Sequence, residues 1–146
     1  MTKRAFALAL ALTAVAATAA AEPNKELYEL QERCGRRAGE FFTAGRYGNG
    51  NTTTPDGGRL LAAFENHYNQ KLNKCFIILK TTQYFKSEKG NDFYIYDMLI
   101  DINDNKIIGE FMIGRGNPKP DGCAVAERDC ASEASWRAMV KPYMEE

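Results

Sequence analysis

The sequence predicts an α+β domain in which an N-terminal helix packs on a four-stranded antiparallel meander, with a short C-terminal helix and two disulfides. Three observations carry this prediction. Apolar residues recur at steps of three and four over residues 24–44, four segments of strand character follow between residues 60 and 113, and the chain contains four cysteines. Short links between sequential strands are typical of antiparallel hairpins, and one helix then covers one face of the sheet.

Residues 1–21 have the pattern of a secretory signal peptide. A short basic start precedes the apolar run 6–17, and the small residues 19–21 form an A-x-A cleavage signal. The run is shorter than the roughly 20 residues that a membrane-spanning helix needs. We therefore expect cleavage after residue 21 and a single periplasmic or secreted domain over residues 22–146.

The mature chain is expected to be close to neutral. The leader holds two of the 19 basic residues and none of the 19 acidic ones, which leaves 17 basic and 19 acidic residues and a net charge of −2. Such a surface exerts no long-range attraction on nucleic acid or anionic lipid. We expect neither nucleic-acid binding nor membrane insertion, and the oligomeric state stays open.

The first predicted helix covers residues 24–44. Asn24 suits the N-cap and Gly45 is a natural stop. Its apolar face repeats at helical spacing, while charged residues four apart occupy the other side. The segment 45–59, rich in Gly, Asn and Thr, is then predicted to be a long polar loop.

Branched and aromatic residues, partly in strict alternation, mark the four predicted strands. Their ranges are 60–68, 74–85, 92–103 and 106–113. After an irregular stretch, Ser132 caps the last helix, which Pro142 is expected to end.

An even number of cysteines in a small exported chain predicts two disulfides. Cys123 and Cys130 bracket one short loop, so we pair them, and Cys34 is left for Cys75. Loop entropy assigns about 4 kcal/mol to the long bridge and about 2.5 kcal/mol to the short one. The chain has one histidine and no C-x-x-C, which does not match zinc spacing, so we expect no metal and no cofactor.

The one histidine, His67, and Cys75 flank a predicted turn near residues 69–73, so they would lie on facing strands and could approach each other. That is the arrangement a Cys–His nucleophile requires, but a bridged sulfur cannot attack. We therefore assign no catalytic residue. His67 remains a candidate pH sensor, because histidine titrates near neutrality.

Two acidic residues of the third predicted strand, Asp97 and Asp101, share one face. They support one alternative, a small carboxylate-dependent hydrolase of envelope glycans, although solvated strand residues near Lys80 are the favoured interpretation. A second alternative is a small-molecule binder with a pocket between the helix and a curled sheet.

Two stretches, ERCGRRAGEFF (32–42) and FENHYNQKLNKCF (64–76), resemble small exported bacterial proteins with no assigned activity. The resemblance implies one domain with a bridge from helix to strand. It contributes no catalytic or ligand-binding residue.

The leading prediction is an exported, non-enzymatic binding protein of the bacterial envelope, of which an inhibitor or an immunity protein is one form. Its partner would be an envelope or extracellular protein. Irregular loops on a rigid frame are where contacts concentrate. The predicted contact residues are Arg46, Tyr47, Arg115, Asn117, Lys119, Glu127 and Arg128.

Overall fold

The computed structural model describes residues 24–45, 47–88 and 90–145. The predicted leader and the predicted contact residue Arg46 lie outside them. The described chain forms two helices and seven strands: α1 (Lys25–Ala44), β1 (Asn51–Thr53), β2 (Arg59–Asn69), β3 (Lys74–Ser87), β4 (Gly90–Asp101), β5 (Lys106–Gly114), β6 (Gly122–Val125), β7 (Arg128–Asp129) and α2 (Glu133–Met144).

The strands form one antiparallel sheet in the order of the chain, from β1 to β7. The α+β class is confirmed, but the prediction of a four-stranded meander is wrong, because β2–β5 are only the centre of the sheet. On one edge β1, inside the predicted loop 45–59, pairs with the start of β2. On the other edge β6 pairs with β5, and β7 with β6. The three missed strands have two to four residues, too few for a pattern of alternation.

The first helix forms as predicted. The side chain of Asn24 accepts a hydrogen bond from the backbone N–H of Leu27 at 3.3 Å, and the N–H of Gly45 bonds to the carbonyl of Phe41. The Cys34–Cys75 disulfide, with 5.4 Å between Cα atoms, joins the middle of α1 to the start of β3. Cys123–Cys130 is also confirmed and links β6 to the residue after β7.

The two helices lie on opposite faces of the sheet, because neighbouring residues of one strand point to opposite faces. Ile77 of β3 belongs to the core under α1, whereas Ile78 belongs to the core under α2. This explains the unbroken buried run 75–79 on β3. The core under α2 is built around Phe76, Leu99, Phe111, Val125, Trp136 and Val140.

The second helix begins as predicted at Ser132, whose side chain accepts from the backbone N–H of Ser135 at 3.1 Å. The prediction that Pro142 ends the helix is wrong, because α2 continues to Met144. Proline in the last turn removes a single backbone donor. Its carbonyl accepts a hydrogen bond of 2.9 Å from the side chain of Asn69, which holds this last turn on the sheet.

The sheet has two ends with different loops. The lower end, as we name it, contains the turns 70–73, 102–105 and 126–127 together with the C-terminal turn of α2. The upper end contains the loops 54–58 and 115–121. In the part of the chain that the structure describes, neither helix is long and apolar enough to cross a bilayer.

Candidate functional site

A depression of about 400 Å³ opens at the lower end, beside the last turn of α2. The rings of Phe76 and Tyr143 form its apolar floor and meet edge to face, with centroids 5.3 Å apart. Leu72 and Ile107 lie on its rim and are 48% and 49% exposed. Large aliphatic side chains exposed next to an aromatic floor are typical of a binding surface.

One wall of this lower depression is an ion-pair network. Lys74 donates to Asp101 and to Asp104, each at 2.5 Å. Asp101 is only 1% exposed, and its other carboxylate oxygen accepts from the backbone N–H of Asn103 at 2.9 Å. The hydrogen bonds that Lys74 donates to Asp101 and Asp104 raise the pKa of Lys74 far above its usual value, and Lys74 lowers the pKa of Asp104. Lys74 and Asp104 therefore stay charged, and the network orders the turn after β4.

Asn69 joins the turn after β2 to α2. Its side chain is 1% exposed, donates to the carbonyl of Pro142 and accepts from the backbone N–H of Leu72 at 2.8 Å. These two bonds position Leu72 on the rim relative to Tyr143 on the floor. The sequence shows Asn69 only as part of a polar turn, and no local signal reveals that it is buried.

The structure does not bring the predicted contact residues together. Arg115, Asn117 and Lys119 lie in the loop at the upper end. Asp121 orders this loop, because its carboxylate accepts from the backbone N–H of Gly114 and from the amide of Asn117, both at 2.7 Å. Lys119 is exposed beside this ordered turn.

Glu127 and Arg128 lie at the opposite, lower end: Glu127 is in the tight turn after β6, and Arg128 begins β7. Ala126 and Glu127 have φ angles of 48° and 65°, the left-handed conformation that a two-residue hairpin of this type requires. Glu127 lines the lower depression. Tyr47 instead stacks on Phe42, with ring centroids 5.8 Å apart, and packs against the core under α1.

His67 and Cys75 do not form a catalytic pair. In the register of β2 and β3, His67 is opposite Phe76, and Cys75 is opposite Tyr68. His67 thus points to the α2 face, while Cys75 points to the α1 face, where it is bonded to Cys34. His67 and Cys75 do lie on neighbouring strands, as expected, but they do not approach each other as a pair, because they are one residue out of register and point to opposite faces.

Asp97 and Asp101 do share one sheet face, but they are four residues apart on β4, which corresponds to about 13 Å. Paired glycosidase carboxylates lie within about 10 Å of each other, and Asp101 is committed to Lys74. Asp97 is different, because burial raises its pKa to about 6 although Lys80 opposes this shift. Lys80 lies opposite Asp97 in the register and donates to Glu65 at 2.5 Å.

Over the ranges 24–45, 47–88 and 90–145, no group of three or more His, Cys, Asp or Glu side chains is arranged to hold a metal ion. The chain matches no known protein family, no curated protein and no solved structure. The lower depression and the surroundings of Asp97 are therefore interpreted from their own geometry.

Proposed function

We propose that this chain is an exported, non-enzymatic binding protein that docks an envelope protein at the lower depression. The observation that supports it most is the exposure of Leu72 and Ile107, which line the same depression as Phe76 and Tyr143. A partner that buries these two aliphatic side chains gains hydrophobic free energy, because their apolar surface is removed from water. A few buried anchor side chains contribute most of the energy of protein interfaces.

The charges on the rim suit a protein partner. Lys106 and Glu127 carry opposite charges on the edge of the depression. A polar rim around an apolar centre is the usual anatomy of an interface, and opposite charges determine the orientation of the partner. The fitting partner is a protein that presents an apolar side chain flanked by one acidic and one basic residue, as an inhibited enzyme or a toxin would.

Export is supported by the two disulfides and by the predicted leader. One bridge joins α1 to β3, and the other joins β6 to the residue after β7. Such bridges persist in oxidising compartments. They also keep the turns around the lower depression in position before a partner arrives, which lowers the entropic cost of binding.

Site-specific photocrosslinking tests the proposal. A crosslinking amino acid at position 107, introduced into the exported protein in its own host, is expected to capture one protein. The purified pair is then compared by calorimetry with Leu72→Ser and Ile107→Ser. We expect each change to weaken binding at least about tenfold, because an apolar side chain that the partner would bury is lost.

The matched control is Tyr84→Ser, which removes a side chain that is 42% exposed and lies on β3 toward the upper end. It is expected to leave the affinity unchanged. The proposal fails if no protein is crosslinked at position 107, or if the two lower-end variants bind the captured protein as tightly as the parent chain does.

The volume of the depression also favours a second candidate, a small-molecule binder. At about 400 Å³ it falls within the range of ligand pockets. A bound compound raises the melting temperature by mass action. A compound screen that stabilises the parent chain but not Ile107→Ser would favour this candidate over protein docking.

A further inference from the structure

A second cavity, of about 330 Å³, lies beneath the first turns of α2 and shares no lining residue with the lower depression. We call it the helix cavity. Leu61, Ala63 and Ile95, on the strand positions that face α2, form its apolar walls. Glu133 and Arg137 lie on its helical side. It is therefore a separate candidate site, in the middle of the sheet rather than at its lower end.

Asp97 enters the helix cavity from β4. Among the described residues, no backbone or side-chain group donates a hydrogen bond to its carboxylate, and burial raises its pKa to about 6. A half-buried carboxylate without a donor is unfavourable. Ionisable groups in such surroundings concentrate at sites that bind or react.

The two cations nearest to Asp97 are each bonded to another acid. Lys80 donates to Glu65 at 2.5 Å, and Arg137 donates to Glu133 at 2.6 and 3.0 Å. The carboxylates of Asp97, Glu65 and Glu133 face only two cations, Lys80 and Arg137, which leaves one negative charge uncompensated. Asp97 is the acid without a direct partner. An incoming cation therefore meets an available carboxylate and does not have to break an existing ion pair.

We propose that the helix cavity binds the guanidinium or primary ammonium group of an organic cation, with Asp97 as the counter-ion. The aliphatic part of this cation lies against Leu61, Ala63 and Ile95. Hydrogen bonds between such a group and a carboxylate are charge-assisted and about twice as strong as neutral ones. The same chemistry is offered by a free amine and by an Arg or Lys side chain of a partner protein.

Binding depends on pH because only ionised Asp97 attracts the cation. As the pH falls through about 6, Asp97 takes up a proton and the affinity falls, by up to about tenfold per pH unit once the carboxyl is mostly protonated. The ionisable groups around the helix cavity lie on β2, β3 and α2, namely Glu65, Lys80, Glu133 and Arg137, with His67 farther along β2 on the same face. Asp101 and Lys74, also on this face, are bonded to each other at the lower end. His67→Gln serves as the control variant for this pH dependence.

The test is isothermal titration calorimetry at low ionic strength and about pH 7.5, with two probes. One is agmatine, a free amine with a guanidinium group, and the other is a tripeptide, acetyl-Gly-Arg-Gly-amide. We expect saturable binding of at least one probe at one site per chain. Asp97→Asn is expected to weaken it at least about tenfold, since the charge-assisted bond is lost. Asp129→Asn, which neutralises an exposed carboxylate on β7, is the matched control and is expected to change nothing.

If neither probe saturates the parent chain, or if Asp97→Asn binds as tightly as the parent, the proposal is overturned. Binding of the tripeptide assigns the cavity to a protein side chain, whereas binding of agmatine alone assigns it to a free amine. In the pH series, His67→Gln is expected to keep the loss of affinity near pH 6. A loss that disappears in His67→Gln would overturn the role of Asp97.

Discussion

Lys74 on β3 donates a 2.5 Å hydrogen bond to the carboxylate of Asp101, which is buried at the end of β4. The same ammonium group also bonds to Asp104 in the turn that follows, so a single cation joins two strands and a turn. Asp101 is shielded from water but keeps a cation and backbone donors. Buried carboxylates are tolerated when they are bonded in this way.

The first prediction concerns this carboxylate. Asp101→Asn is expected to destabilise the fold by about 2 kcal/mol, because the amide loses the charge-assisted bond from Lys74 and brings an extra donor into a buried position. Urea unfolding measures the change. Asp104→Asn, at an exposed position of the same network, is the control and is expected to have a clearly smaller effect. Equal effects of the two changes would contradict the structural role of Asp101.

The second prediction concerns the disulfides. Cys34 and Cys75 are 41 residues apart in sequence, whereas Cys123 and Cys130 are 7 apart. Loop entropy therefore predicts a loss of about 4 kcal/mol when the long bridge is removed as a double Ala variant, and about 2.5 kcal/mol for the short one. Thermal unfolding of both variants under oxidising conditions shows which of them loses more stability. The reverse order would show that loop entropy does not control the stability of this fold.

The elements with strong periodicity were predictable from sequence. The first helix was predicted over residues 24–44 and is observed over Lys25–Ala44 after the Asn24 cap. Its apolar face repeats over five turns and both ends carry capping residues, so local signals agree with the tertiary contacts. The cysteine pairing was also predictable, because one pair brackets a short loop.

Features that depend on register were not predictable. The turn at Ala126 and Glu127 has two residues with positive φ but contains no glycine or asparagine, so the usual signal of a hairpin is missing. Asp101 was interpreted as a solvated strand residue, yet Lys74 and the turn after β4 cover it. Such contacts arise from the pairing of distant strands, and one-dimensional patterns do not encode which residues meet.

The third prediction concerns Asn69, which connects the turn after β2 with the last turn of α2. Asn69→Ala is expected to cost about 2 kcal/mol, because the backbone N–H of Leu72 and the carbonyl of Pro142 lose their partner in a partly buried place. Hydrogen exchange is expected to speed up most in the C-terminal turn of α2. Asn91→Ala, at an exposed position on β4, is the control. Unchanged exchange in α2 would show that Asn69 does not hold the helix.

The fourth prediction follows from the raised pKa of Asp97. Its folded value of about 6 lies above the usual 3.8, so the protonated form is favoured by folding. The resulting stability is fully present below about pH 3.8 and is lost as the pH rises through about 6. Asp97→Asn imitates the protonated form at every pH. We therefore expect it to be more stable than the parent chain by about 2 kcal/mol near pH 7.5 and nearly equal to it near pH 4.

Urea unfolding of both chains across this pH range measures the difference, and Asp129→Asn serves as the exposed control. A stability gain at neutral pH together with weaker binding of agmatine would mean that the parent chain keeps an unfavourable charge for the sake of a ligand, the trade-off expected of a binding site. If the gain is absent or does not depend on pH, Asp97 is better solvated than the helix cavity implies. In that case Asp97 is expected to bind an organic cation no more tightly than an exposed carboxylate does.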